Sequence, residues 1–139
     1  LDQETKDKIE NLEVIHSASL PYADDGFYAT EKVERAMDIL PSKKAKETQL
    51  HPLVKTHAET KKKCLFINPV YTVAINDFSE EESFLLLSSL YEHMTQEKYV
   101  YRHKWSKDML LMWDNRTVVH AADGGYNGYE RLMHRITVN

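Results

Sequence analysis

Short runs of β-branched and aromatic residues dominate the chain from Leu50 onward, and turn-forming residues separate them. Four such runs follow one another towards the C-terminus: YVYRHKW, DMLLMWD, RTVVHAA and YERLMHRITV. The turn signals Asp123-Gly124-Gly125 and Asn127-Gly128 divide the last two. Consecutive strands joined by turns of this kind pair antiparallel. The pattern therefore predicts a mainly β fold with flanking helices, a barrel or sandwich of the jelly-roll kind.

A β-hairpin is predicted upstream, within residues 51–75. The strand-like segments HPLVKTH and KCLFINPVYTVAI flank the polar stretch AETKK, which has the composition of a turn. His57 and Glu59 have the spacing of a His-x-carboxylate metal pair, but they lie beside the turn and three lysines follow them. We therefore interpret them as a solvent-exposed hairpin tip.

The strongest helix signal is the segment SEEESFLLLSSLYEHMT, in which Ser79 and Glu82 have the spacing of a capping box. One face of this helix is predicted to pack in the core, and it carries Phe84, Leu86, Leu87, Leu90, Tyr91 and Met94. Two shorter helices are also predicted. One spans residues 1–15 with an apolar face that ends at Ile15, and the other begins at Thr30 and is stopped by Pro41.

Length and composition limit the classes of protein to which the chain can belong. Its 139 residues predict a single domain, 1–139, and no apolar run approaches the roughly 20 residues that cross a bilayer. A net charge of -4 argues against nucleic-acid binding but allows a local pocket for a small anion. The one cysteine, Cys64, is interpreted as a small buried hydrophobe, and its isolation favours a reducing compartment, most simply the cytoplasm.

Three residues in the last predicted strands are candidates for a functional site. Arg131 and Arg135 lie on one face of a strand, about 13 Å apart at roughly 3.3 Å per residue, and each guanidinium suits a carboxylate, phosphate or sulfonate. The alternative is that these arginines face solvent or pair with a carboxylate. The alternative for His120 is a polar residue whose imidazole nitrogens form hydrogen bonds within the fold and bind no metal. The joint spacing of one imidazole and two arginines favours an iron site that binds an oxo acid.

The motifs that carry these residues are recognisable. WDNRTVVHAA followed by YERLMHR, within residues 113–135, closely resembles the C-terminal signature of the taurine dioxygenase family, which includes alkylsulfatases and phenoxyacetate dioxygenases. Residues 51–75 resemble the hairpin and the following strand of the same family. The resemblance extends in register over residues 50–138 and more loosely over residues 1–49.

The resemblance implies a non-haem iron(II), 2-oxoglutarate-dependent oxygenase on a double-stranded β-helix, a cupin-like jelly roll. It implies that His120 is the distal histidine of the iron site, that Arg131 pairs with the distal carboxylate of 2-oxoglutarate, and that Arg135 contacts an anionic substrate. Residues 113–116 would give structural support. The implied reaction consumes dioxygen, hydroxylates a taurine-like sulfonate, sulfate ester or carboxylate, and releases succinate and carbon dioxide. Family members commonly form dimers or tetramers, so a homo-oligomer is a further expectation.

The chain departs from the family pattern in one respect. The family takes its other two iron ligands from a His-x-Asp pair, and this pair does not occur in the sequence. The resemblance places the pair in a segment before Leu1, so the chain corresponds to the C-terminal part of a β-helix that is incomplete at its N-terminus. The alternative is a non-catalytic half-barrel that acts as a binding or assembly module, because its open strand edges would need a partner.

Overall fold

The computed structural model describes residues 1–31, 38–125 and 128–138. Two short 3-10 turns, Lys43–Lys46 and Glu97–Tyr99, accompany the regular elements. In chain order those elements are α1 (Gln3–Ile9), β1 (Glu13–Ser17), α2 (Ser19–Tyr22), α3 (Phe27–Thr30), β2 (Thr48–Pro52), β3 (Val54–Thr56), β4 (Lys63–Leu65), β5 (Thr72–Ile75) and α4 (Glu80–Met94).

Two small antiparallel sheets lie at the centre of the fold. In the larger sheet β1 is the middle strand, and its Val14 lies opposite His51 of β2 and Ile75 of β5. The smaller sheet is the hairpin of β3 and β4, with Lys55 opposite Cys64. The predicted hairpin and the prediction of antiparallel sheets with flanking helices are therefore confirmed.

The first predicted helix is partly wrong. Helix α1 is capped by Asp2, whose carboxylate accepts a 2.7 Å hydrogen bond from the Thr5 backbone N–H, but the helix ends at Ile9. Ile15 lies in β1, where its backbone pairs with strands on both sides. Val14 and Ile15 are β-branched, and pairing within a sheet outweighs the weak helical periodicity of the segment.

The core lies between the larger sheet and α4. It consists of seven buried side chains from α1, the strands, the loops and α4: Ile9, Val14, Leu53, Ile67, Ile75, Leu87 and Leu90. These aliphatic groups exclude water from one face of the sheet, and that burial is the main favourable contribution to folding.

Helix α4 begins with the predicted capping box. The Ser79 hydroxyl accepts from the Glu82 backbone N–H at 3.2 Å, and the Glu82 carboxylate accepts from the Ser79 backbone N–H at 2.9 Å. Its predicted core face is wrong at Phe84, which is 70% exposed. The buried Ser83 hydroxyl accepts from the Ile75 backbone N–H at 3.1 Å, and this bond sets the rotation of the helix so that Phe84 points outward.

The four strands predicted after residue 98 are not formed in the described part of the chain. From residue 100 onward the described residues hold no strand, and apolar side chains such as Ile136 and Val138 are more than 80% exposed. An alternating pattern favours a strand only where a neighbouring strand pairs with it, and no strand of the described residues pairs with this segment.

Two further predictions concern the helices. The helix predicted to begin at Thr30 is wrong at its start, because Thr30 is the last residue of α3 and Glu31 follows it in an extended conformation. The rest of that prediction falls mainly on residues 32–37, which lie outside the described residues. None of the helices in the described ranges is long and apolar enough to cross a membrane.

Candidate functional site

The predicted site residues all lie in the exposed C-terminal segment. The imidazole of His120 lies against the indole of Trp113, with ring centroids 5.0 Å apart and planes inclined by 59°. Arg131 and Arg135 follow on the same segment, and both are exposed. Within residues 1–31, 38–125 and 128–138, no group of three or more His, Cys, Asp or Glu side chains is arranged to hold a metal ion.

A cleft of about 500 Å³ lies next to this segment. Strands β1 and β2 and the loop after β4 form one side, with the rings of His16, His51, Phe66 and Tyr71. Residues 115–119, which lead directly to His120, form another side. The cleft is therefore bordered by aromatic and imidazole rings on one side and by the backbone that carries the predicted iron ligand on another.

Rings and a cation pack closely at the sheet side of the cleft. His16 lies 5.0 Å from His51 and 5.5 Å from Phe66, measured between ring centroids. The Lys55 ammonium lies 3.3 Å from the centroid of the Phe66 ring, a cation–π contact. Thr72 Oγ1 lies 2.9 Å from His16 Nε2. Burial lowers the pKa of His16, and the nearby His51 and Lys55 lower it further.

The lowered pKa of His16 leads us to expect that the fold becomes less stable in acid. Because the pKa of His16 is lower in the fold than its ordinary value of 6.5, the unfolded chain binds more protons there, and stability falls as the pH drops through 6.5. We expect the free energy of unfolding, measured by urea titration, to decrease from about pH 7 to about pH 5. The His16→Gln variant removes this titration, and an equally steep pH dependence in that variant would contradict the assignment.

Tyr71 links Arg135 to the cleft. Burial raises the pKa of the Tyr71 phenol, a hydrogen bond with Tyr22 and the neighbouring Tyr28 raise it further, and the positive charge of Arg135 opposes these effects. Arg135 thus lies within electrostatic range of a phenol that lines the cleft.

The prediction of a solvent-exposed hairpin tip is wrong at His57 but holds at Glu59, whose side chain is 62% exposed. The His57 side chain is only 9% exposed, and its Nε2 lies 3.0 Å from Asp114 Oδ2. Its Nδ1 accepts a 3.1 Å hydrogen bond from the Thr60 backbone N–H. Because a backbone N–H can only donate, the imidazole proton lies on Nε2, which donates to Asp114.

Asp114 and Arg116 form a two-point ion pair beside His57. Arg116 Nη2 lies 2.7 Å from Asp114 Oδ2 and Arg116 Nε lies 2.9 Å from Asp114 Oδ1, while Arg116 Nη1 donates to Glu59 Oε1 at 3.1 Å. The guanidinium holds the pKa of the Asp114 carboxyl well below its usual range, and the two carboxylates raise the pKa of Arg116. Local sequence carries no sign that His57 meets Asp114, because 57 positions separate them.

A comparison with models of known protein families shows the family to which the chain belongs. Residues 1–137 match the profile of the family described as taurine catabolism dioxygenase TauD, TfdA family. The chain belongs to this family. The resemblance of its motifs to the taurine dioxygenase family is thereby confirmed.

This member of the taurine dioxygenase family is similar to several characterised proteins. It is 45% identical over 69 residues to the alpha-ketoglutarate-dependent 2,4-dichlorophenoxyacetate dioxygenase of Cupriavidus pinatubonensis, a match that covers 50% of the chain and 24% of that relative. It is 32% identical to the alkylsulfatase of Acinetobacter baylyi, covering 93% of the chain and 40% of that relative. The chain thus spans well under half the length of these curated relatives.

A solved structure supports the same relationship. AAD-2, in complex with Mn(II) and N-oxalylglycine, is 32% identical to the chain and superposes with a TM-score of 0.58. The match covers 76% of the chain and 34% of AAD-2. The arrangement of sheets and small helices in this family member is therefore shared with that protein.

The three predicted site residues have side chains of the types that an iron site with an oxo acid would use. His120 offers an imidazole, a donor that iron accepts, and Arg131 and Arg135 offer guanidinium groups suited to carboxylates and other anions. The cluster of three donors that a complete site requires is not formed within the described ranges. By chemical type, the three predicted residues suit one iron ligand and two anion-binding groups.

Proposed function

We propose that the protein is an iron(II)- and 2-oxoglutarate-dependent dioxygenase that hydroxylates a small anionic substrate, with release of succinate and carbon dioxide. The observation that carries this proposal is the family match over residues 1–137, which includes the signature segment with His120, Arg131 and Arg135. Relatives named as acting on sulfonates and on 2,4-dichlorophenoxyacetate support a small organic anion as substrate. A taurine-like sulfonate is the proposed class, ahead of sulfate esters and carboxylates.

Each of the three residues has a separate proposed role. His120 binds iron(II), and Arg131 pairs with the distal carboxylate of 2-oxoglutarate through two parallel N–H donors. Arg135 holds the anionic group of the substrate near Tyr71 at the cleft. When bound, iron and 2-oxoglutarate supply the oxidising chemistry, while the protein orients the substrate and keeps water from the reacting carbon.

The proposed fold is a double-stranded β-helix of which residues 1–139 form the C-terminal part of a single domain. The chain covers 24% and 40% of two curated relatives, which supports a longer polypeptide that supplies the remaining iron ligands. In that polypeptide the alternating segments after residue 98 gain strand partners. We place the protein in the cytoplasm because its single cysteine, Cys64, cannot form an internal disulfide. Cys64 is half-buried rather than buried as predicted.

A succinate assay with a panel of substrates tests the proposed function. The full-length protein is incubated with iron(II), 2-oxoglutarate, dioxygen and one of taurine, an alkyl sulfate or phenoxyacetate, and succinate is measured. We expect substrate-stimulated succinate release, largest with the sulfonate. An uncharged alcohol of the same size is the control, and equal stimulation by that alcohol would contradict an anion site. Failure of all three anions to stimulate succinate release would contradict the dioxygenase assignment.

A further inference from the structure

The hairpin of β3 and β4 and the segment before His120 are joined by four polar side chains, which we call the clamp: His57, Glu59, Asp114 and Arg116. Asp114 is the centre of the clamp, since it accepts from His57 Nε2 at 3.0 Å and from Arg116 Nη2 at 2.7 Å. Glu59 completes the clamp by accepting from Arg116 Nη1 at 3.1 Å. Two residues of the hairpin turn are thereby connected to two residues of the C-terminal segment.

The clamp constrains the backbone as well as the side chains. Asp114 Oδ1 accepts from the Arg116 backbone N–H at 2.9 Å, and the Thr117 backbone N–H donates to the Asp114 carbonyl oxygen at 3.2 Å. The Cys64 thiol of β4 lies 3.7 Å from the Arg116 carbonyl oxygen and adds a weak contact to the same segment. These bonds fix a turn next to Trp113.

We propose that His57 is a positioning residue, which acts through Asp114 to hold Trp113 and, against the Trp113 ring, His120. The contacts run from the His57 ring to Asp114 and then along the backbone to Trp113. The Trp113 indole lies 5.0 Å from the His120 imidazole, measured between ring centroids. The segment after residue 98 holds no strand in the described part of the chain. In the described part of the chain, the clamp is therefore the side-chain connection that ties the segment before His120 to the β3–β4 hairpin. That the position of His120 matters for iron binding rests on the proposed function.

Two substitutions at His57 separate positioning from support of the hairpin turn. In His57→Asn, the short amide oxygen takes the place of Nδ1 and keeps the bond from the Thr60 backbone N–H, but the side chain at position 57 no longer reaches Asp114, which keeps only its bonds from Arg116. In His57→Gln, the longer amide places an N–H near Nε2 and keeps the bond to Asp114, but the acceptor for Thr60 is lost. Each variant thus replaces one of the two imidazole nitrogens and loses the other.

The readout is the proton–proton Overhauser contact between the Trp113 indole and the His120 imidazole, measured by NMR without metal. We expect the contact in the wild-type chain and in His57→Gln, and its loss in His57→Asn. Methyl signals of the core residues Leu53 and Leu90 report whether each variant remains folded. Retention of the contact in His57→Asn, or its loss in His57→Gln, would overturn the proposal. Because no iron is present, this result is independent of whether the proposed dioxygenase activity is found.

Discussion

Replacing His120 with alanine is expected to reduce succinate release from the full-length protein by about 100-fold or more. Changes to groups that merely orient a metal ligand typically cost about 10- to 100-fold in metal affinity or activity, so loss of a ligand itself is expected to cost at least that much. His120 is exposed, and its ring packs against Trp113 rather than in the core. The variant is therefore expected to unfold at the same urea concentration as the wild type.

His134 provides a matched control for His120. It is a second exposed histidine of the C-terminal segment, and the proposed site gives it no role. The His134→Ala variant should retain wild-type succinate release under the same conditions. Equal activity in His120→Ala and His134→Ala would mean that His120 does not bind iron.

Replacing Arg131 with alanine is expected to raise the KM for 2-oxoglutarate by about 10- to 100-fold. Hydrogen bonds to charged groups contribute about 1.5–3 kcal/mol each, and about 1.4 kcal/mol corresponds to a tenfold change in affinity. Arg131→Lys keeps the charge but loses the two-point geometry, so its KM should lie between those of the wild type and Arg131→Ala. Initial rates of succinate formation at varied 2-oxoglutarate give the three values.

Arg135→Ala distinguishes the two arginines. It should leave the KM for 2-oxoglutarate near the wild-type value and raise the KM for the anionic substrate, because Arg135 is proposed to hold the substrate beside Tyr71. The reverse pattern, with Arg135→Ala affecting 2-oxoglutarate and Arg131→Ala affecting the substrate, would exchange the two roles. No change in either variant would remove both residues from the proposed site.

Local features were predicted well from the sequence. The capping box at Ser79 and Glu82 and the hairpin of β3 and β4 depend on residues close together in the chain, and the structure contains both. The family was recognisable from the residues around His120, because a long motif carries specific information that composition and periodicity do not. A capping box or a tight hairpin is determined by neighbours that the sequence displays.

The features that were missed depend on distant partners. Ile15 lies in a strand because β2 and β5 flank it, and Phe84 points outward because Ser83 bonds to the Ile75 backbone. The His57 side chain is only 9% exposed and lies beside Asp114, and no local pattern indicates that contact. The prediction of strands after residue 98 was wrong for the same reason. A high β propensity shows that a segment would fit into a sheet, but a strand forms only where a neighbouring strand pairs with it.

Calorimetric titration of 2-oxoglutarate into the full-length protein, without dioxygen, tests the central claim most directly. The claim is that iron and Arg131 hold the cosubstrate together, so binding should require iron(II) and should weaken in the Arg131→Ala variant. The same titration without iron(II), in the presence of a chelator, is the control. Equal affinity with and without iron(II), or no detectable binding in either titration, would contradict the account.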